Sequence, residues 1–265
     1  MRNPWQQMTS EEGRAMDERK ERTFQISREL LWETIQHHLP DDRSLPVLDL
    51  GGGTGFWALR IAEKGHPVVL VDISSGLLAC AREKIQAAGL SDLITMTQAD
   101  ICDLSEFAQE SFPLVLALGD PLSYCDDAEK ALLEMRRVAA DRACLIGDVE
   151  NRYRAALSER RARSWEDAKR ILLEGVAHWP DPENPAPVRE FTPAEIADLL
   201  QRTGWSVISL RPSGLLAATM SDKILREACA NDAGTKELIE VERQLREDPS
   251  LLGSGQEIQF IAQKR

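Results

Sequence analysis

The stretch Val47-Leu48-Asp49-Leu50-Gly51-Gly52-Gly53-Thr54-Gly55 constrains this chain more than any other. A short apolar run flows into a loop with glycines at 51, 53 and 55, and the loop opens onto a helical pattern that closes at Gly65. Glycine allows sharp turns and close approach of a ligand to the backbone, at an entropic cost that an ordinary turn has no reason to bear repeatedly. In an open α/β sheet, ligands sit beyond the carboxyl ends of the strands. The loop therefore predicts a strand, a ligand site and a helix, in that order.

The rest of the chain repeats the alternation. Apolar runs at 67–72, 93–98, 113–118, 143–149, 205–210 and 257–263 read as further strands, with helical stretches between most of them. Ser74 is placed to cap a helix that ends before Gly89, and Thr192-Pro193-Ala194-Glu195 combines a capping box with proline at the first helical position. Such alternation predicts an α/β fold around a mostly parallel sheet. Phe24, Leu31, Ile35 and Leu39 predict one helix over residues 12–39, stopped by Pro40. This gives an N-terminal helical cap over 1–44 and a main domain over 45–265. Residues 150–190 and 211–256 interrupt the rhythm as insertions that read as mostly helical. The segment 181–187 reads as a stiff extended connector.

Composition narrows the function classes. The 265 residues carry a formal charge of −12, which disfavours a polyanion as the default partner. Residues 151–170 run the other way, with seven cations against three anions, which reads as a solvated helix face with intrahelical pairs or as a site for an anionic substrate or an RNA backbone. Within that stretch Leu157, Trp165, Ala168 and Leu172 fall near one helical face, which predicts a core position for Trp165. Cysteines 80, 102, 125, 144 and 229 are odd in number and form no C-x-x-C pair, against a disulfide scaffold or a zinc ribbon. With no apolar leader and no membrane-length apolar run, the expected setting is cytoplasmic, without a membrane partner. Oligomeric state leaves no mark on the sequence.

Two ligand classes compete for the glycine loop. A dinucleotide fingerprint wants its third glycine at position 56, where this chain has Phe56. Asp72, at the end of the second predicted strand and 19 residues beyond Gly53, suits a ribose in either class. Asp100, after the third strand in Gln98-Ala99-Asp100-Ile101, adds a second carboxylate. The spacing of Gly51, Gly53 and Gly55 together with Asp72 and Asp100 resembles class I S-adenosylmethionine-dependent methyltransferases. The resemblance implies a Rossmann-like seven-stranded sheet of order 3-2-1-4-5-7-6, with helices on both faces and helical insertions over the active site. It also implies S-adenosyl-L-methionine as cofactor. Asp49, Gly51, Gly53 and Gly55 would then shape the cofactor loop. Asp72 and Ile73 would meet the ribose, Asp100 and Ile101 the adenine, and Leu118 and Gly119 the methionine end. Arg22 or Arg28 would pair with the methionine carboxylate.

The stretch Leu118-Gly119-Asp120-Pro121-Leu122-Ser123-Tyr124 follows the fourth strand, where the resemblance places the reacting atoms. Methyl transfer from a sulfonium is an in-line displacement in which positioning supplies much of the rate, and a base is needed only for a protonated nucleophile. Asp120, Tyr124 and His178 are the candidate catalytic residues, with Asp148 and Glu150 as further carboxylates near the same strand ends. No converging carboxylate set suggests a metal.

Both insertions are expected to roof the acceptor pocket, because additions at the ligand face set substrate choice while the core holds the cofactor. A small-molecule acceptor is the leading expectation. The layout from Gly204 onward is similar to the bacterial family that methylates the carboxyl of 5-carboxymethoxyuridine in tRNA, which makes a wobble uridine the alternative acceptor. This chain departs from that family at Gly119-Asp120-Pro121, at Ala139-Ala140-Asp141-Arg142 and in its acidity. An NAD-type oxidoreductase and a non-catalytic cofactor-binding relative are the readings from other classes.

Overall fold

The computed structural model describes residues 3–23, 25–159, 161–179 and 186–265. Its strands are β1 (Val47–Leu50), β2 (Val68–Asp72), β3 (Ile94–Gln98), β4 (Phe112–Ala117), β5 (Ala139–Glu150), β6 (Val176–His178), β7 (Pro187–Arg189), β8 (Trp205–Ser213) and β9 (Glu257–Lys264). Seven of them form one sheet in the order β3-β2-β1-β4-β5-β9-β8. The first five are parallel neighbours, and β9 runs antiparallel between β5 and β8. This is the Rossmann-like order, with β8 and β9 as sixth and seventh strands.

Period-two alternation divides the core. Leu48, Leu50, Val115, Ala117, Leu145 and Val149 face one side, against α6 (Ala128–Val138) and α9 (Pro193–Arg202). Val47, Leu114, Leu116 and Ile146 face the other, with Leu31, Trp32 and Ile35 and with Ala58, Ile61, Ala81 and Ile85. Those partners belong to α2 (Gln25–His38), α3 (Phe56–Ala62) and α4 (Ser75–Ala87). Apolar cover on both faces explains why the inner strands read as continuous apolar runs. The caps form as their residue types demand: Ser74 Oγ accepts the Leu77 N–H, and Thr192 and Glu195 close a reciprocal capping box with Pro193 at the first position.

Three expectations need correction. The helix over 12–39 is two helices, α1 (Ser10–Thr23) and α2, on either side of residue 24, which lies outside the described residues. They dock differently: α1 lies on α4, where Gly13 brings its backbone against Leu77, whereas α2 buries Leu31, Trp32 and Ile35 against the sheet. The insertion at 150–190 is not wholly helical. Besides α7 (Arg152–Leu157) and α8 (Trp165–Glu174) it holds the antiparallel pair β6–β7, three residues each and too short to show a period. Of the connector, residues 181–185 fall outside the described residues. Trp165 is 70% exposed: it opens α8 whereas Leu157 closes α7, so the expected single face is divided between two helices, and Leu157 and Leu172 are exposed as well.

The first insertion has its own small core of Ala155, Ile171, Ala177 and Val188, closed by Tyr124 of the short helix α5 (Pro121–Tyr124). It is therefore seated on the loop that follows β4. The second insertion forms α10 (Leu215–Thr219), α11 (Asp222–Ala228) and α12 (Asp232–Leu245). Glu242 of α12 is buried and accepts the Leu215 and Leu216 N–H groups, and Arg243 pairs with Glu33 of α2. Among the described residues no helix is long and apolar enough to cross a membrane.

Candidate active site

A cavity of about 850 Å³ opens at the carboxyl ends of β1, β2, β4 and β5. The glycine loop forms its floor. Gly51, Gly53 and Gly55 have φ of 70, 54 and 81, a region that side chains rarely adopt. Gly51 and Gly53 line the cavity. Gly55 does not: it caps α3 from below, and a Cβ there would meet Ala81 and Leu70 at 3.3 Å.

Asp72 ties the loop to the sheet. It is buried, and its Oδ2 accepts the Gly53 N–H while Oδ1 accepts the Ser74 N–H, both at 2.8 Å. Burial raises its pKa, against the lowering effect of those N–H groups. Ile73 follows it on the cavity wall. Asp100 and Ile101 line the same side, and Asp100 Oδ1 accepts the Cys102 N–H at 2.8 Å, which fixes the carboxylate in a local turn. Arg28 also lines the cavity, with its guanidinium 4.1 Å from the centroid of the Phe56 ring. The side chain of Arg22 lies outside the described residues.

Asp49 is placed differently from expectation. It is 1% exposed, lies outside the cavity lining, and neither carboxylate oxygen has a hydrogen-bond partner. It sits beneath Gly52, where an added Cβ would lie 2.8 Å from Oδ2. Burial, with Asp72 next, pushes its pKa up to about 7. Its geometry is that of a buried support under the loop.

The far end is built from the strand-four loop and from β5, β9 and the first insertion. Leu118, Gly119, Asp120 and Tyr124 line it, with Asp148, Glu150, Arg161, Trp179 and Glu257. Asp120 is 7% exposed, takes φ 63, and leaves Oδ1 without a partner. Burial, then Glu257, Asp148, Glu150 and Glu190, holds its pKa well above the usual carboxylate range. The Tyr124 hydroxyl donates to Glu150 Oε1 at 2.8 Å, and Arg161 pairs with the same oxygen. Burial, followed by Glu150, raises the Tyr124 pKa. His178 is not at this site: it is exposed on β6, while its neighbour Trp179 faces the cavity.

Trp5, Trp179, Glu190 and Glu257 also stand at or beside this end, and no sequence motif marks them. Trp5 sits in a 3-10 turn over residues 4–7 that crosses the cavity mouth, and its ring packs edge-on against Tyr124 and Trp179 at centroid distances of 5.5 and 5.2 Å. Glu190 is fully buried beside Arg161, 3.9 Å away. None of the four belongs to a local motif. The one available signal was a tryptophan in a segment without helical period, as at Trp5. Among the described residues no group of three His, Cys, Asp or Glu side chains is placed to hold a metal ion.

The comparisons with known proteins bear on this arrangement. Residues 47–142 match a family described as a methyltransferase domain. Over 94 residues the chain is 31% identical to tRNA 5-carboxymethoxyuridine methyltransferase of Escherichia coli (strain K12), covering 35% of this chain and 36% of that protein. Over 99 residues it is 34% identical to demethylmenaquinone methyltransferase of Bacteroides fragilis, covering 36% and 39%. These matches span less than half the length of either relative. A solved S-adenosylmethionine dependent methyltransferase from Mesorhizobium loti superposes with a TM-score of 0.60 at 21% identity, over 88% of this chain and 97% of that one, and shares the fold. The strand order and the matched segment agree: residues 47–142 match a methyltransferase domain, set in a Rossmann-like sheet.

Proposed function

We propose that this protein methylates a small molecule held between the strand-four loop and the first insertion. The observation that carries the reading is the single cavity that runs from Asp72 and Asp100 to Asp120, Glu150 and Trp179. Its near end fits the cofactor: positive-φ glycines keep side chains out of the floor, and two carboxylates stand at successive strand ends. In this reading Asp72 and Ile73 hold the ribose, Asp100 and Ile101 the adenine, and the backbone at Gly51, Gly53, Leu118 and Gly119 the methionine end. When bound, the cofactor supplies an electrophilic methyl on a sulfonium. Asp120 and Tyr124 face the acceptor, and Arg161 orients Tyr124 through the oxygen of Glu150 that both engage.

The charge pattern of the first insertion favours a small acceptor over RNA. Arg152 pairs with Glu195 at 2.7 Å, Arg161 with Glu150, Lys169 with Glu166 and Arg170 with Asp167. Cations already engaged in this way offer little to a phosphate backbone. The test supplies trideuteromethyl S-adenosylmethionine together with two pools from the source organism, bulk RNA and small metabolites. Mass spectrometry is expected to find the label in a small metabolite. Label in RNA overturns the small-molecule reading and favours the wobble-uridine alternative suggested by the Escherichia coli relative. Absence of S-adenosylhomocysteine binding, read by calorimetry, overturns the cofactor assignment itself.

A further inference from the structure

We propose that the acceptor is an amine, bound as its ammonium cation by Asp120 and Glu257 against a wall of three aromatic rings. This rests on the methyl-transfer reading above and specifies its acceptor.

The far end of the cavity concentrates negative charge. Asp120, Asp148, Glu150 and Glu257 all line it, and they come from the loop after β4, the end of β5 and the start of β9. Glu150 and Glu257 are register partners across the antiparallel β5–β9 pair. Like charges directly opposite in a sheet destabilise it, and partial burial adds to the cost. The cation within this group is Arg161, which pairs with Glu150, lies 3.9 Å from buried Glu190 and keeps one buried nitrogen, Nη1, without a hydrogen-bond partner. The other cation among the described lining residues, Arg28, is stacked on Phe56 beside the glycine loop. Asp148 is committed to the backbone N–H groups of Gly119 and Asp120.

A second observation points to a ligand. Asp120 is more than nine-tenths buried, lines the cavity, and has Oδ1 without any hydrogen-bond partner. A buried carboxylate oxygen left without a donor marks a place where an outside donor belongs. Trp5, Tyr124 and Trp179 stand around the same end, each pair edge-to-face at 5.2–5.6 Å between centroids. Aromatic faces attract cations, while these carboxylates repel an anionic acceptor. Burial and the neighbouring carboxylates raise the Asp120 pKa, and an ammonium beside it acts in the opposite direction, favouring the carboxylate.

The chemistry is consistent with that placement. An ammonium has no lone pair, so it first gives one proton to the Asp120 carboxylate. The amine nitrogen then forms the new N–C bond as the C–S bond of the methyl donor breaks, with that electron pair remaining on sulfur as a neutral thioether. The product leaves as the N-methylated ammonium.

The test titrates three probes of similar shape into the full chain saturated with S-adenosylhomocysteine: 2-phenylethylamine, 3-phenylpropanoate and 3-phenylpropanol. The amine is expected to bind at least about tenfold more tightly than either of the others, and Asp120→Asn to remove about tenfold or more of that affinity with the melting temperature retained. Glu257→Gln is expected to weaken the amine in the same direction and serves if Asp120→Asn does not fold. Equal or tighter binding of the propanoate or the alcohol overturns the inference, as does the absence of binding by all three. Wild-type protein that fails to bind S-adenosylhomocysteine at the outset instead overturns the cofactor reading, so the two failures are distinct.

Discussion

Asp148 accepts the backbone N–H groups of both Gly119 and Asp120 at one oxygen, Oδ1, each at 2.8 Å. This pair of bonds holds Asp120 at φ 63, a conformation that costs a non-glycine residue about 1–2 kcal/mol. Asp148→Ala removes the acceptor of both and is expected to lower stability by about 2–4 kcal/mol. Asp148→Asn keeps an acceptor oxygen in the same place and is expected to recover most of that loss. Urea unfolding of the two variants makes the comparison, and equal midpoints would show that the bonds do not hold the loop.

Gly76, in the first turn of α4, lies directly under the N-terminal segment. A Cβ at this position would lie 2.0 Å from the carbonyl oxygen of Met8 and 2.9 Å from Thr9 Cα. Gly76→Ala must therefore displace residues 8–9, while alanine itself suits a helix better than glycine by about 1 kcal/mol. The expected result is unchanged or higher global stability, faster proteolysis within residues 3–9, and weaker S-adenosylhomocysteine binding. Unaltered proteolysis would mean that the segment accommodates the methyl group in place.

Glu190 gives a pH dependence with a definite sign. Burial, then Glu150, raises its pKa to about 9 from an ordinary value of 4.5. The folded protein holds this proton more tightly than the unfolded chain, so the contribution is complete below pH 4.5 and is lost as pH rises toward 9. Wild-type stability should decline across that window. Glu190→Gln mimics the protonated side chain and should decline less, matching wild type near pH 4 and exceeding it increasingly toward pH 9. Thermal melts over the range decide the matter, and parallel curves would refute it.

Asp72 has two tasks that one substitution separates. Its carboxylate accepts the Gly53 and Ser74 N–H groups, so Asp72→Ala should weaken cofactor binding and also cost about 1–3 kcal/mol of stability. Asp72→Asn retains one acceptor oxygen and offers an amide where the reading places ribose hydroxyls. It should lose less stability than the alanine variant while still binding S-adenosylhomocysteine more weakly. Calorimetry and melting on both variants check the split, and full affinity in either moves the ribose elsewhere.

What the sequence made legible was local. The floor residues Gly51 and Gly53, the strand-end carboxylates Asp72 and Asp100, and the turn at Gly119-Asp120 each sit beside the strand that positions them, so adjacency in the chain stands in for adjacency in space. The alternation made a mostly parallel sheet legible, and the strand order came from the family resemblance. The far wall was not legible. Trp5 and Glu257 approach the site from opposite ends of the chain, and Glu190 reaches Arg161 through the β6–β7 hairpin, whose three-residue strands carry no readable period. The basic stretch was legible as charge but not as pairing, because Glu195, Glu150 and Glu190 lie outside or beyond the counted window. Trp165 failed for a different reason. A helical face gives the direction of a side chain, and whether another element arrives to cover it is a tertiary fact.

The N-terminal segment touches both halves of the cavity. The Met8 carbonyl accepts from the hydroxyl of Ser74, one of the two residues whose backbone N–H Asp72 fixes, while Asn3 donates to the Tyr124 carbonyl and Trp5 packs on the rings beside it. A few residues thus behave as a hasp across two leaves. One short stretch of chain ties the end of the second strand to the aromatic wall, so a change at Ser74 and a change at Tyr124 bear on the same few residues.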